Sequence, residues 1–393
     1  MTKPERSWVL YDVGNSAYVL LASTLIPIYF SAIADPNSSA VVAWGYASTV
    51  ASLVLALLMP FLGSLADLKG NKKKFLAGTI GTGAVTLAVM GIPSDAMVFL
   101  VIYVVSSVML NASLVFYDAF LVDAASSEER YDEVSSQGYA WGYIGSCVPF
   151  IICLVLVLFG ENFGIGQLDG IRISFVITAV WWLAFSVPIW RDVHQTHYKP
   201  REEHLFKNTI AGLVGTCKKI FHDRRLMMFM LAFFFYIDGV NTIISVSTSY
   251  GTTLGLDTVG MILALLVTQV VAMPFSILFG KLAGKVGSIN LLCGAVGIYF
   301  VITVVGFFMG FNIEQSPGSE SALALSQGLF WCMAFLVGTV QGGIQALSRS
   351  YFGKLVPADR SNEYFGFFDI FGKFAAVIGP LLVGLFTQFT GRD

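Results

Sequence analysis

Long apolar stretches and short polar intervals alternate along the whole chain. Eleven stretches hold the run of about 20 mostly apolar residues that a helix needs to cross a membrane. They cover approximately residues 7–33, 40–66, 74–92, 96–122, 137–160, 170–190, 226–250, 258–282, 287–311, 322–348 and 362–388. Apolar positions are continuous within each stretch, whereas the strands of an outer-membrane barrel alternate apolar and polar positions. The pattern therefore predicts an all-α polytopic membrane protein.

The longest polar interval lies between the sixth and seventh stretches. It predicts a six-helix bundle over 1–190, a cytoplasmic linker over 191–225 and a second bundle with five spans over 226–393. Two equal halves would have twelve spans. The sequence ends where a twelfth span is expected to begin, so we expect eleven spans with the twelfth missing.

Composition and charge agree with a membrane location. The chain is 56% hydrophobic and only 12% charged, which is about half the charge of a typical soluble protein. Its net charge of −2 gives no basic excess for binding nucleic acid. An N-terminus in the cytoplasm places 20 of the 23 Lys and Arg residues on the cytoplasmic side, as the positive-inside rule requires. Because long eukaryote-like loops are absent, we expect the inner (plasma) membrane of a bacterium.

Two short motifs occur once in each half of the sequence. The first is Asp12-Val-Gly-Asn15 in span one and Asp238-Gly-Val-Asn241 in span seven. The second is Gly63-Ser-Leu-Ala-Asp67-Leu-Lys-Gly70 after span two and Gly280-Lys-Leu-Ala-Gly284-Lys-Val-Gly287 after span eight. Equivalent motifs in equivalent spans indicate duplicated halves. In transporters built this way the substrate site lies between the halves.

Ionisable side chains inside the spans mark the candidate site. Each costs several kcal/mol in lipid unless it faces water or a partner. Polar neighbours share a helical face with them, as Asn15 and Ser16 do with Asp12. Such a face either joins helices by polar contacts or binds a substrate or ion. With one glutamine each from spans eight and ten, the candidate substrate-binding residues are Asp12, Asn15, Ser16, Asp118, Asp238, Asn241, Gln269, Gln345, Asp369 and Lys373.

Charge pairing and energy coupling leave alternatives open. Asp369 and Lys373 stand at i, i+4 with the acid first, so they either neutralise each other or leave Lys373 to bind a substrate carboxylate. We hypothesise that Asp12 or Asp238 carries a coupling proton, since all four His residues lie in the linker. Sodium is the alternative, because the side chains around Asp12 offer oxygen ligands. We interpret Arg349, at the end of span ten, as a topological anchor.

The motif after span two resembles the signature of the major facilitator superfamily. It reads Gly63-Ser-Leu-Ala-Asp67-Leu-Lys-Gly70-Asn-Lys-Lys73, and the resemblance implies a gating role for Gly63, Asp67, Gly70 and Lys73. It also implies that spans one, four, seven and eleven line or flank the cavity. The second copy has Gly284 where an acid is often found. We therefore expect the equivalent contact in the other half to be weak or missing.

Further stretches resemble the vacuole-effluxer-like branch of this superfamily, which includes the autophagy-related vacuolar amino-acid effluxer. They are Trp8–Ala17, Ala179–Trp182, Tyr236–Ile243, Gln341–Ser350 and Glu363–Pro380. The chain departs from the branch at Asp118, Val122 and Asn241, where Asn, Pro and Gln are usual. Because two of these three positions are candidate site residues, the departures put the substrate rather than the fold in question.

The resemblance implies a secondary transporter of a small polar solute, an amino acid or related zwitterion, that works by alternating access. Its expected partners are the solute, a proton or sodium ion and membrane lipids, and we expect a monomer. No cofactor, metal or nucleic acid is expected. No enzyme is expected either, because the sequence has no nucleophile–base constellation. The alternatives are a transporter-like sensor without net transport and a translocase of lipids or drugs.

Overall fold

The computed structural model describes residues 1–35, 40–200, 205–316 and 318–390. Its regular elements in these ranges are α-helices and short 3-10 turns. The α-helices are α1 (Lys3–Ala22), α2 (Leu25–Ile33), α3 (Ala40–Ala66), α4 (Lys72–Val89), α5 (Ala96–Ala119), α6 (Leu121–Ala124), α7 (Tyr131–Phe159), α8 (Gln167–Asp192), α9 (Leu205–His222), α10 (Arg224–Thr253), α11 (Thr258–Val286), α12 (Ser288–Gln315), α13 (Glu320–Leu355) and α14 (Ser361–Thr390).

All eleven predicted spans are helical. Ten helical segments of the described chain are long and apolar enough to cross a membrane. The third predicted span, α4, is not among them because three of its 18 residues are lysines at its start. The first predicted span is interrupted at Ser23 and Thr24, which separate α1 from α2. The polar interval between spans six and seven contains α9, which the apolar pattern does not indicate.

The outer surface of the bundle is apolar. Large side chains such as Leu57, Phe163 and Phe389 are 79%, 77% and 83% exposed. In water such a surface would be an aggregation site, whereas in a bilayer it contacts lipid tails of the same polarity. The buried residues include most of the polar side chains discussed below. The molecule therefore places its polar groups between the helices.

We refer to α1–α8 as the N-half and to α10–α14 as the C-half. The halves meet where α3 contacts α14 and where α7 contacts α11 and α13. We call the end of the bundle that holds the α3–α4 turn and the starts of α7 and α14 the linker end. There a Cβ at Gly63 would lie 2.5 Å from the backbone oxygen of Asn362, and one at Gly280 would lie 2.7 Å from Ser136. The first glycine of each repeated motif thus allows a helix of one half to approach the other.

Candidate functional site

Arg349 joins the two halves at the centre of the linker-end interface. It lies on α13 and its guanidinium extends into the N-half, where Nη1 is 2.9 Å from Asp118 Oδ1 and Nη2 is 3.4 Å from Asp12 Oδ2. Its Nε and Nη2 also donate to the hydroxyl and the carbonyl of Ser135, both at 2.9 Å. Only 3% of the residue is exposed. A topological anchor needs no such partners, so these buried contacts give Arg349 a further role in joining the halves.

Three aromatic rings of the N-half surround the same guanidinium. Its carbon lies 4.6 Å from the ring centroid of Trp8, 5.3 Å from that of Tyr117 and 4.5 Å from that of Tyr139. Cations bind ring faces at such distances, most strongly where water is excluded. The sequence held one signal for this contact. Asp12 and Asp118 lie in N-half spans without a deeply placed cation, so their charges require one from elsewhere.

The two copies of the Asp-x-x-Asn motif have different surroundings. Asp12 accepts hydrogen bonds from Tyr117 Oη at 2.8 Å and from Asn15 Nδ2 at 3.0 Å. In the second copy, Oδ1 of Asp238 is buried and has no hydrogen-bond partner among the described residues. A Cβ at Gly379 would lie 2.6 Å from that oxygen, so α14 passes directly beside it. Thus Asp238 retains an acceptor that a proton or a ligand can use, whereas both oxygens of Asp12 accept hydrogen bonds.

Lys373 bonds across the halves and not to its helical neighbour. Its Nζ donates to Oδ1 of Asn111 on α5. Oδ2 of Asp369, one turn away on α14, is buried without a hydrogen-bond partner among the described residues. Of the two alternatives for this pair, the geometry disfavours self-neutralisation. Lys373 Nζ and an unpartnered oxygen of Asp369 therefore lie one turn apart on α14, the helix that also passes beside Asp238.

Of the remaining candidates, only Gln345 forms a described hydrogen bond across the two halves. Gln345, one turn from Arg349 on α13, accepts a hydrogen bond from Tyr143 Oη at 3.1 Å. The hydroxyl of Ser16 contacts α7, where a Cβ at Gly142 would lie 2.7 Å from it. Two further candidates, Asn241 on α10 and Gln269 on α11, are half-buried. In the described part of the chain no hydrogen bond joins these last two to the Arg349 cluster.

Asp67 of the signature motif binds the beginning of α14. Its Oδ1 accepts from the backbone N and the Nδ2 of Asn362 at 3.0 and 2.7 Å, and its Oδ2 accepts from the N of Glu363 at 3.0 Å. The first N–H groups of a helix lack intrahelical partners and attract negative charge. Burial nevertheless raises the pKa of Asp67 to about 6, although Lys72 and Lys199 nearby lower it. The closed linker end thus binds a proton at pH values where an exposed aspartate stays ionised.

The lysine that participates in this contact is Lys72 and not Lys73. Lys72 is fully buried, and its Nζ donates to Asp123 Oδ2 at 2.7 Å, to the carbonyl of Ala119 at 3.2 Å and to Ser361 Oγ at 2.9 Å. Lys73, which the motif suggested, is near Asp192 in the N-half. Because successive helical residues point about 100° apart, only one of the two can face the C-half.

The segment after α8 runs across the turn between α3 and α4. The N of Lys199 donates to the carbonyl of Asp67 at 2.8 Å, and Gln195 Oε1 accepts from the N of Gly70 at 2.9 Å. Gly70 has φ +77°, which glycine adopts without strain. The Nζ of Lys199 binds Glu363 of the C-half. We call residues 193–200 the strap, since they attach to both halves.

Asp123 holds the middle of the strap. Its Oδ1 accepts from the N and the Oγ1 of Thr196 at 2.9 and 2.7 Å, and from the N of His197 at 2.9 Å. The His197 ring lies 3.1 Å from the same oxygen. This contact raises the pKa of His197, while Lys72, despite the burial of the carboxyl, holds the pKa of Asp123 well below its usual range.

An acid of the N-half contacts the C-half next to the second copy of the motif. Asp132, in the first turn of α7, accepts hydrogen bonds from Ser350 Oγ at 2.6 Å, from Ser288 Oγ at 2.9 Å and from Lys354 Nζ at 2.5 Å. All three partners belong to the C-half. Gly284 itself has nothing from another part of the described chain within 4 Å of a built Cβ, so the expected loss of a contact at that position stays a prediction. The acid is supplied by the opposite half, at the start of α7.

Comparisons with known proteins agree with this architecture. A family model described as "Vacuole effluxer Atg22 like" matches residues 36–393. The Bacillus subtilis (strain 168) protein "Uncharacterized MFS-type transporter YxiO" is 43% identical over 401 residues, covering 100% of this chain and 90% of that protein. "Autophagy-related protein 22" of Kluyveromyces lactis is 24% identical over 304 residues, which is 73% of this chain and 60% of that protein.

Solved structures share the fold. The proton:xylose symporter XylE superposes with a TM-score of 0.70 at 15% identity, covering 98% of this chain and 90% of that one. The human organic anion transporter MFSD10 gives a TM-score of 0.69 at 13% identity, with coverages of 98% and 94%. These likenesses confirm the predicted fold class, and the identity to the Bacillus protein together with the family match confirms the predicted branch. The chain belongs to the Atg22-like family of major facilitator transporters, multi-pass membrane proteins that are not enzymes.

Proposed function

We propose that this transporter moves a small polar solute, an amino acid or related zwitterion, by alternating access coupled to a proton gradient. The membrane is the bacterial plasma membrane, and the linker end and the N-terminus face the cytoplasm. The contact of Arg349 with Asp12 and Asp118 is the main support. It joins opposite halves through buried charges, so the halves separate at this end only if those charges find other partners.

The closed linker end supports an outward-facing state. Asp67, Lys72 and Asp132 each bond from the N-half to the C-half at that end. A rocking motion about a central site would break these bonds and expose the site to the cytoplasm. We therefore assign an outward-facing state to this conformation.

A zwitterion fits the charges on α10 and α14. The ammonium of Lys373 is available to a carboxylate if Asn111 gives way. The unpartnered carboxyl oxygens of Asp238 and Asp369 are available to a proton and, while the linker end is closed, to an amino group. We assign the coupling proton to Asp238 in preference to Asp12, since Asp12 already binds Tyr117, Asn15 and Arg349. In this assignment Asp238 carries the coupling proton while Asp12 maintains the contact between the halves.

Counterflow in proteoliposomes tests this function. The purified protein is first screened against amino acids, peptides and sugars by thermal shift, and each hit is then tested for exchange at several external pH values. Asp238→Asn is expected to retain exchange and lose its pH dependence. Asp169→Asn, an exposed surface pair with Arg172, is the matched control. Binding without exchange would favour a sensor, and unchanged proton-coupled transport in both Asp12→Asn and Asp238→Asn would refute the proton assignment.

A further inference from the structure

We propose that Trp8, Tyr117, Tyr139, Asp12 and Asp118 form a receptor for an organic cation, an ammonium or guanidinium group, which Arg349 occupies in this conformation. We call these five residues the cation cage. When the halves separate at the linker end, the cationic group of the substrate takes the place of the guanidinium. This inference rests on the proposed transport function, because it is transport that removes Arg349 from the cage.

Three members of the cage are held together without Arg349. Trp8 and Tyr117 are stacked with centroids 4.3 Å apart, and the indole N–H of Trp8 donates to the carbonyl of Tyr117 at 2.9 Å. Tyr117 in turn donates to Asp12 at 2.8 Å, and Asn15 fixes the other oxygen of that carboxylate at 3.0 Å. Contacts between α1 and α5 therefore position one carboxylate and two rings before any cation binds. Such preorganisation reduces the entropic cost of binding a separate cation.

The third side of the cage comes from α7. A Cβ at Gly138 would lie 2.5 Å from Asp12 Oδ2 and 3.0 Å from Tyr117 Oη. Because the glycine has no side chain, α7 approaches α1 closely enough for Tyr139 to cover the guanidinium. All five cage residues belong to the N-half, whereas the cation belongs to the C-half. A movement of one half against the other thus separates the cation from the cage as a unit.

An empty cage would be unstable, which determines the class of its next occupant. Removing one partner of a buried ion pair leaves an uncompensated charge, and here two carboxylates would remain. A neutral solute cannot compensate them, whereas a planar or tetrahedral organic cation can also use the ring faces. The side chain of Asp118 is 24% exposed, compared with 7% for Asp12. A ligand therefore approaches from the side of Asp118.

Chemical rescue tests the cage without any knowledge of the substrate. Full-length Arg349→Ala is purified and its melting temperature is followed against guanidinium chloride at millimolar concentrations. Urea, which is planar and similar in size but neutral, and sodium chloride at equal ionic strength are the controls. We expect a saturable rise in the melting temperature of Arg349→Ala with guanidinium alone. We expect no such rise in the wild type, whose cage is filled.

Additional variants locate the binding. Adding Asp118→Asn or Tyr139→Leu to Arg349→Ala is expected to weaken the apparent affinity for guanidinium about tenfold or more, as a lost interaction of about 1.4 kcal/mol would. If Arg349→Ala cannot be purified, Arg349→Gln retains a donor for Ser135 and carries the same titration. An equal response of wild type and variant, or of urea and guanidinium, would overturn the cage. If the wild type exchanges substrate but Arg349→Ala does not bind guanidinium, the cage is refuted and the transport proposal stands. If Arg349→Ala binds guanidinium but the wild type does not exchange substrate, the transport proposal is refuted and the cage stands.

Discussion

Replacing Lys72 by methionine tests how the linker end is held closed. Methionine keeps most of the apolar stem and removes the ammonium, which is fully buried and bonded to Asp123, Ala119 and Ser361. Of these three hydrogen bonds of Lys72, only the one to Ser361, at 2.9 Å, joins the two halves. Lys73→Met is the matched control, because this substitution removes the same charge from the same turn. The Lys73 ammonium interacts with Asp192 of the N-half.

The structure separates two effects of this substitution by size. The buried ion pair between Lys72 and Asp123 lies within the N-half. Its loss therefore costs about 3–5 kcal/mol of stability in either conformation. Loss of the charged hydrogen bond to Ser361 costs about 1.5–3 kcal/mol in the closed conformation alone. At 1.4 kcal/mol for each factor of ten, the ratio of open to closed linker ends should rise about ten- to hundredfold.

Two measurements resolve these effects. The melting temperature reports the ion pair with Asp123. Spin labels at Glu128→Cys and Asp359→Cys, in a background without the five native cysteines, report the distance between the halves, since both positions are exposed at the linker end. We expect a second, longer distance in Lys72→Met and not in Lys73→Met. Identical distance distributions for the two variants would refute the role of the Lys72–Ser361 bond.

Two further predictions concern the same end of the molecule. The pKa values of His197 and Asp67 are both raised in the closed state, that of Asp67 to about 6, so the closed state binds more protons and is favoured as pH falls. For His197 the contribution is fully present below its unperturbed pKa of about 6.5 and is lost as pH rises through its raised value. The protection of residues 193–200 against hydrogen exchange, corrected for the pH dependence of the intrinsic exchange rate, should therefore rise from pH 8 to pH 5. His197→Gln should reduce this rise, and an equal rise in His197→Gln would contradict the assignment to this ring. Gly63→Ala places a methyl group 2.5 Å from the backbone oxygen of Asn362 and should destabilise the closed state by about 1–3 kcal/mol, whereas Gly78→Ala, with open space around it, should leave the spin-label distances unchanged. Equal distance distributions in the two alanine variants would show that the close approach at Gly63 does not restrain the halves.

The sequence alone determined the apolar spans and the branch of the superfamily, and it predicted two duplicated halves. A bilayer imposes a local rule, since every segment that crosses it needs its own run of apolar residues and its own backbone hydrogen bonds. The repeated glycines were also readable, because close helix approach requires a small residue at a fixed place in the motif. Gly63 and Gly280 accordingly occupy matching positions against the opposite half.

Only the tertiary structure decided which charges meet. Asp12 and Arg349 are 337 residues apart in sequence, and no local pattern indicates that a basic residue at a span end turns inward to meet two acids. In the two copies of one motif, both oxygens of Asp12 accept hydrogen bonds, whereas one oxygen of Asp238 has no partner among the described residues. The reason is that the helices packed against the two copies carry different side chains. Which of the two neighbouring lysines contacts the C-half likewise depends on which side chain faces Ser361, and that is Lys72. Hydropathy depends on the residues of one segment, whereas the pairing of charged side chains depends on which other segments folding brings next to it.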